Sequence, residues 1–145
     1  MSEGMDPCRR IVEARGEGSI VRIEEGSADS LGEAARRFGL SDHPDAFVEV
    51  PEGEAVAVLV ALLSADMAYH CPIVPPAEAQ RLARAFIEAF AGTKPRFYTN
   101  GDFGKPGAVP GAWPTWFAAT GATFDGGVLV LAEGRVGCAW FMDED

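Results

Sequence analysis

Gly127-Val-Leu-Val-Leu-Ala132, then Glu133-Gly134, then Arg135-Val-Gly-Cys-Ala-Trp-Phe141 is the stretch that decides the fold class. Two strand-forming runs flank a two-residue X-Gly step, the pattern of a β-hairpin. Immediately upstream, Asn100 to Gly121 reads as a long Gly/Pro loop with a helical turn near Trp116. Before that loop, Arg96-Phe-Tyr-Thr99 reads as a further strand.

Helix signals occupy the rest of the chain. Pro75-Pro76 opens the clearest helix, Ala77 to Ala91, closed by Gly92. Leu82, Ala85, Phe86, Ala89 and Phe90 form its apolar face, and Glu78, Arg81, Arg84 and Glu88 lie mostly opposite. Asp6-Pro7 supplies an N-cap and a first-turn proline for a helix through Cys8, Ile11 and Val12 to Arg15. Gly16 suits its C-terminal cap. Ser30-x-x-Glu33 is a capping box ahead of Leu31, Ala34, Ala35 and Phe38, with Gly39 as the stop. Ser19 to Glu24 and Phe47 to Val50 read as strands, the first with Ile20 and Arg22 on one face and Val21 and Ile23 on the other. Ala55 to Tyr69 is ambiguous, because Val56, Val58 and Val60 alternate as in a strand. Its length and its Ala and Leu content favour a helix with Pro51, Glu52 and Glu54 in the first turn. Being apolar nearly all round, it is the central buried element in either case. No internal repeat or inter-domain linker is visible. The order predicts a single α+β domain over residues 1–145, with a largely antiparallel sheet, three to four helices and a C-terminal hairpin. Residues 1–5 and 143–145 are expected to be flexible.

The chain has 145 residues, 22 acidic against 12 basic, and a formal net charge of −10. A hydrophobic content of 48% is too rich for a disordered chain. Residues 1–54 hold 13 acids and 6 arginines, residues 55–142 are balanced, and Asp143, Glu144 and Asp145 close the chain. The balance excludes a protein that grips phosphate backbones, an affinity built on Lys and Arg. The acidic regions are either a solvated surface or a docking face for a basic partner. Cys8, Cys71 and Cys138 are too sparse for a disulfide framework or a zinc site. The acidic N-terminus lacks the apolar run of a secretory signal, and the nine-residue stretch Ala55 to Leu63 is too short to span a membrane. A cytoplasmic location is expected.

Motifs for chemistry are sparse. His43 and His70 are the only histidines, so a multi-histidine metal site is disfavoured. Asp42-His43-x-Asp45 reads as a polar surface loop. In His70-Cys71 the neighbouring side chains diverge, so a thiol nucleophile there would need its base from elsewhere. Gly104-Lys105-Pro106 lacks the hydroxyl residue of a phosphate-binding loop. Asp102 and Asp125 lie near the aromatic segment, with nothing in the sequence that pairs them. No catalytic set, metal or cofactor is called for, and the expectation is a non-enzyme.

A binding surface is what remains. Nine of the 14 aromatic residues fall between Phe86 and Phe124. Trp113 and Trp116 in the long loop either fold back onto the core edge or anchor a partner. Such a loop, of roughly 20 residues, is usually functional or mobile.

Several segments together resemble small acidic bacterial immunity proteins. They are the helix over 77–91, Phe97-Tyr-Thr-Asn-Gly-Asp-Phe103, the Trp/Pro loop, Ala122-Thr-Phe-Asp-Gly-Gly-Val128 and Gly137-Cys-Ala-Trp-Phe-Met-Asp-Glu-Asp145. Proteins of that kind are encoded beside polymorphic or secretion-system toxins and neutralise them by direct binding. The resemblance spans residues 54–145 and rests on layout and on the acidic, Trp-containing C-terminus. It implies a cognate, basic toxin protein as partner, with no direct nucleic-acid or membrane contact. Expected contact residues are Asp102, Trp113, Trp116, Asp143, Glu144 and Asp145. Two alternatives are a small-molecule binding or regulatory module and a small enzyme with a pocket near His70 and Cys71.

Overall fold

The computed structural model describes residues 6–16, 18–103 and 116–144. Asp6 accepts the Cys8 amide N–H at 3.0 Å and starts α1 (Pro7–Arg15), which leads into β1 (Ser19–Glu25). The Ser30 hydroxyl caps α2 (Leu31–Arg37) by accepting from the Glu33 amide, and the Glu33 carboxylate in return accepts from the Asp29 amide. Next come β2 (Val48–Val50), α3 (Glu52–Ser64), α4 (Pro76–Glu88), β3 (Arg96–Thr99), β4 (Phe124–Ala132) and β5 (Arg135–Asp143). Among the described residues these four helices and five strands form an α+β domain whose sheet runs β1-β5-β4-β3-β2, every pair antiparallel. No helix among them is long and apolar enough to cross a membrane.

The C-terminal hairpin is the centre of that sheet. β4 and β5 pair from Phe124↔Asp143 to Ala132↔Arg135, and Gly134 takes φ +85° in the turn between them. The turn is bolted to its surroundings. The Gly134 carbonyl accepts from Gly26, its amide donates to Ser27 Oγ at 2.7 Å, and the Glu133 amide donates to the Thr93 carbonyl. β1 pairs along its full length with β5, so the first and last strands are neighbours.

Helices and loops cover both faces of the hairpin. Val128, Val130, Ala139 and Phe141 join a core with residues of α1, α3 and α4. Leu129, Val136, Cys138 and Trp140 face the other way and pack with Ala34, Ala35, Phe38, Leu40 and Ala119. Burial on both sides is why this run is apolar at consecutive positions instead of alternating. The Phe90 ring stands where a side chain on Gly137 would go: a Cβ built there falls inside it. Gly137 therefore leaves room for α4 to close on the sheet.

The ambiguous segment after Pro51 is a helix, but it stops at Ser64, five residues before the expected end. Ala65 is extended and bridges Pro72. The Asp66 carboxylate captures the amides of Tyr69 (2.8 Å) and Cys71 (2.6 Å), offering the backbone an alternative to further helix. Burial opposes ionisation of Asp66, but the amide hydrogen bonds from Tyr69, Cys71 and Ala68 prevail and hold its carboxyl below the usual range. At the end of α4, Ala89, Phe90 and Ala91 donate to carbonyls three residues back. This tightening carries the chain from Glu88 to Gly92, at φ +79°.

The expected flexible C-terminus does not extend to Asp143, which is the last residue of β5. Arg15 Nη1 and Nη2 donate to its two carboxylate oxygens at 3.0 and 2.7 Å, and the Met67 amide donates to Oδ2 at 2.8 Å. Arg15 also donates from Nε to the Leu62 carbonyl and lies 5.3 Å from the centre of the Phe141 ring. This buried fork ties α1, the end of α3, the Asp66 turn and β5 together. Glu144 is likewise engaged, accepting from the amide and hydroxyl of Thr123.

Gly137→Ala is expected to destabilise the fold by about 1–3 kcal/mol through overpacking against Phe90. Urea denaturation of Gly137→Ala alone and combined with Phe90→Leu checks this, with part of the loss recovered in the double variant.

Candidate functional site

Asp125, the second residue of β4, is fully buried. Its carboxyl accepts from five donors: Asn100 Nδ2 (2.9 Å), the amides of Ala119 (3.0 Å) and Thr120 (3.2 Å), the Thr120 hydroxyl (3.1 Å) and Trp140 Nε1 (3.1 Å). A buried carboxyl is tolerable only with such partners, and a buried indole N–H needs one as well. The Phe117 amide donates to the Asn100 carbonyl at 2.7 Å, and Asn100 Nδ2 donates back to the Phe117 carbonyl at 2.8 Å. Segment 116–120 is thereby stapled to the end of β3. Trp116 sits in an extended bridge with Gly101, where the sequence had suggested a helical turn.

This staple forms one wall of a surface cavity of about 400 Å³. The other wall comes from the stretch leading into β2, residues 45–48. Three aromatic side chains line it: Phe47, edge-on to Trp140; Trp116, tilted 5.6 Å from Phe124; and Phe117, stacked 5.2 Å from His43. Asp45 and Asp102 contribute carboxylates, and among the described residues no Lys or Arg lines the cavity. Thr99, Asn100 and Gly101 complete the lining. Thr99 and Asn100 are buried, and among the described residues Thr99 Oγ1 and Asn100 Oδ1 have no hydrogen-bond partner. For Asn100 the cause is visible: its Nδ2 is committed to Phe117 and Asp125, which leaves the oxygen without a donor. Unsatisfied buried acceptors are costly and uncommon.

Of the expected contact residues, Asp102 and Trp116 are brought together in this cavity. Asp143 is not available as a contact, because its carboxylate is consumed by Arg15 and Met67. Glu144 is exposed, and its hydrogen bonds from Thr123 hold its carboxyl below the usual range. Trp113 and Asp145 lie outside the described residues. Phe47, Thr99 and Asn100 were not singled out from sequence, since a strand-end Thr-Asn and a lone Phe carry no motif. In the sequence Asp125 is only an acid near aromatics. Its signal is a carboxyl at the start of an otherwise apolar strand.

The other candidate positions are arranged differently. Asp42 pairs with Arg36 at 2.9 Å, and His43 Nδ1 accepts from the Asp45 amide. Among the described residues no group of three or more His, Cys, Asp or Glu side chains is placed to hold a metal. His70 occupies the Asp66 turn at φ +58°, followed by the exposed Cys71. Cys8 and Cys138 are buried. Burial, followed by the Asp6 charge, pushes the Cys8 thiol up to about 12, and burial raises Cys138 as well.

Comparison with protein-family models, curated proteins and solved structures gives no match to this chain.

Two outcomes follow. Asp125→Ala, which strands the Trp140 indole and the backbone amides of Ala119 and Thr120, is expected to cost about 3 kcal/mol or more. Chemical denaturation reads the loss, and the indole N–H resonance of Trp140 reports its cause. Iodoacetamide at mildly alkaline pH is expected to alkylate Cys71 in the folded protein while Cys8 and Cys138 react only after unfolding, as mapped by peptide mass spectrometry.

Proposed function

We propose that this chain is a bacterial immunity protein that binds a cognate toxin domain and occludes it. The observation that carries the reading is the meeting of Asp102 and Trp116 in one cavity, with Phe47, Phe117 and Asp45 around them. Aromatic anchors beside carboxylates are the make-up of a protein-binding hot spot facing a basic surface. The acidic first third of the chain, 13 acids against 6 arginines, adds a long-range field that speeds encounter with such a partner. Glu144 and Asp145 extend that field at the C-terminus. Asp143 serves the fold instead and is left out of the contact set. An acidic inhibitor of this kind would occupy a basic cleft in place of a phosphate-bearing substrate.

The cavity, about 400 Å³ and lined by three aromatic side chains, also favours a second reading, a small-molecule binding module. A metabolite that raises the melting temperature by mass action, with no protein complex formed, would distinguish it.

The test is co-purification with the product of the adjacent gene, followed by titration. Trp116→Ala combined with Asp102→Asn is expected to weaken the complex about a hundredfold, and added salt is expected to slow association. A complex of unchanged affinity would remove these residues from the interface. Absence of any complex, together with cells unprotected against the toxin, would remove the reading itself.

A further inference from the structure

We infer that the free edge of β1 is a dimer surface, on which β1 of a second copy of this chain pairs antiparallel about a two-fold axis at Ile23. The cavity proposed for the toxin flanks β2, at the other edge of the sheet.

The two edges of the sheet are built differently. β2 has three residues and runs straight into Pro51, the kind of short, proline-ended edge that resists pairing with another chain. β1 has seven residues, no proline and no bulge, and follows β5 residue for residue from Ser19↔Phe141 to Glu25↔Arg135. The ladder fixes which way its backbone faces. Just beyond the ends of that register, the Gly18 carbonyl accepts from the Met142 amide and the Gly26 amide donates to the Gly134 carbonyl. Even-numbered residues therefore bond β5, and the N–H and C=O groups of Ser19, Val21, Ile23 and Glu25 turn to the open side. No other described strand pairs with that side. Along it, Val12 of α1 and Phe38 at the end of α2 meet residues 19–22 in a surface cavity of about 350 Å³.

The side chains choose the register. Pairing centred on Ile23 sets Val21, Ile23 and Glu25 against Glu25, Ile23 and Val21 of the second copy, each pair exchanging backbone hydrogen bonds in both directions. Arg22 then stands directly opposite Glu24 of the second copy, and Glu24 opposite its Arg22, in the closely spaced positions where side chains meet. A shift that moves the axis to Arg22 or to Glu24 puts like charges directly opposite, which is destabilising. Within one chain Arg22 and Glu24 make a surface pair at 3.8 Å, and Arg22 Nη2 donates to the Arg37 carbonyl. The choice of register depends on their opposite signs, not on either lacking a partner. On the other face Ile23, half-buried against the core, meets its own copy on the axis. A strand from another protein would need this pattern by coincidence, whereas a second copy carries it by symmetry.

The test is sedimentation velocity of the full chain from micromolar to millimolar concentration. A reversible dimer with a dissociation constant of about 10 μM is expected, as suits a small interface. Arg22→Glu and Glu24→Arg, each alone and folded by its spectrum, should weaken self-association about tenfold or more. Mixed, the two variants present acids to arginines at both positions, and association should return to within about threefold of the native value. In amide hydrogen exchange, raising the concentration should slow Ile23 and Glu25 and leave Arg22 and Glu24, already bonded to β5, unchanged. A monomer at every concentration, a dimer indifferent to either charge reversal, or single variants that fail to pair with each other would overturn the inference. So would protection of Ile23 and Glu25 only on adding the adjacent gene's product, which gives the edge to that partner instead.

Discussion

One buried carboxyl, that of Asp125, organises the end of the molecule where the candidate site lies. Its five donors come from the end of β3, from residues 119 and 120, and from Trp140 in β5. No two of these segments are neighbours along the chain. The Trp140 indole and the amides of residues 119 and 120 would be left unpaired if the acceptor were missing, and that penalty is larger than the modest net gain of an ordinary hydrogen bond. The consequence is a fixed geometry: the backbone at Phe117 is locked to Asn100, Trp116 bridges Gly101, and the Asn100 amide has only one orientation. The same network that satisfies Asp125 leaves Asn100 Oδ1 unsatisfied beside the cavity. The wall of the site at Trp116 and Phe117 is thus held by the buried chemistry behind it.

A second constraint acts at the same end of the hairpin, on its other face. Arg15 and Asp143 form a buried, bidentate pair that closes the chain on itself, α1 against the last strand. Breaking such a pair from one side strands a charge, so its worth lies as much in defining the arrangement as in net stability. It also redistributes the acidity of the C-terminus. Three consecutive carboxylates look like one charged tail, yet the first neutralises an arginine, the second holds Thr123, and neither is a free end.

Much of the fold was legible in local pattern. The hairpin at Glu133-Gly134, the capping box at Ser30, the proline-initiated helices and the strand at Arg96–Thr99 all rest on interactions within a few residues. The helix after Pro51 was legible in type, but its end was not, because Asp66 stops it by reaching forward to amides three and five residues on. The candidate site was legible in part. Asp102 and Trp116 stood out by composition, while Phe47, Thr99 and Asn100 enter only because β2 lies beside β3 as an edge strand.

The sequence by itself determined the class of this protein: an acidic α+β domain, with a β-hairpin at its C-terminal end and no motif for a metal or cofactor. Periodicity, caps and turn chemistry are short-range, and a single chain displays them directly. Only the tertiary structure decided which strands are neighbours, that β1 lies against β5, that Asp143 belongs to the fold and that Asp102 and Trp116 share a cavity. Those outcomes depend on pairings across 15 to 128 residues of chain, between Asp125 and Trp140 or between Arg15 and Asp143. A charge in a sequence carries no sign of whether water or a buried partner will receive it, and folding makes that assignment.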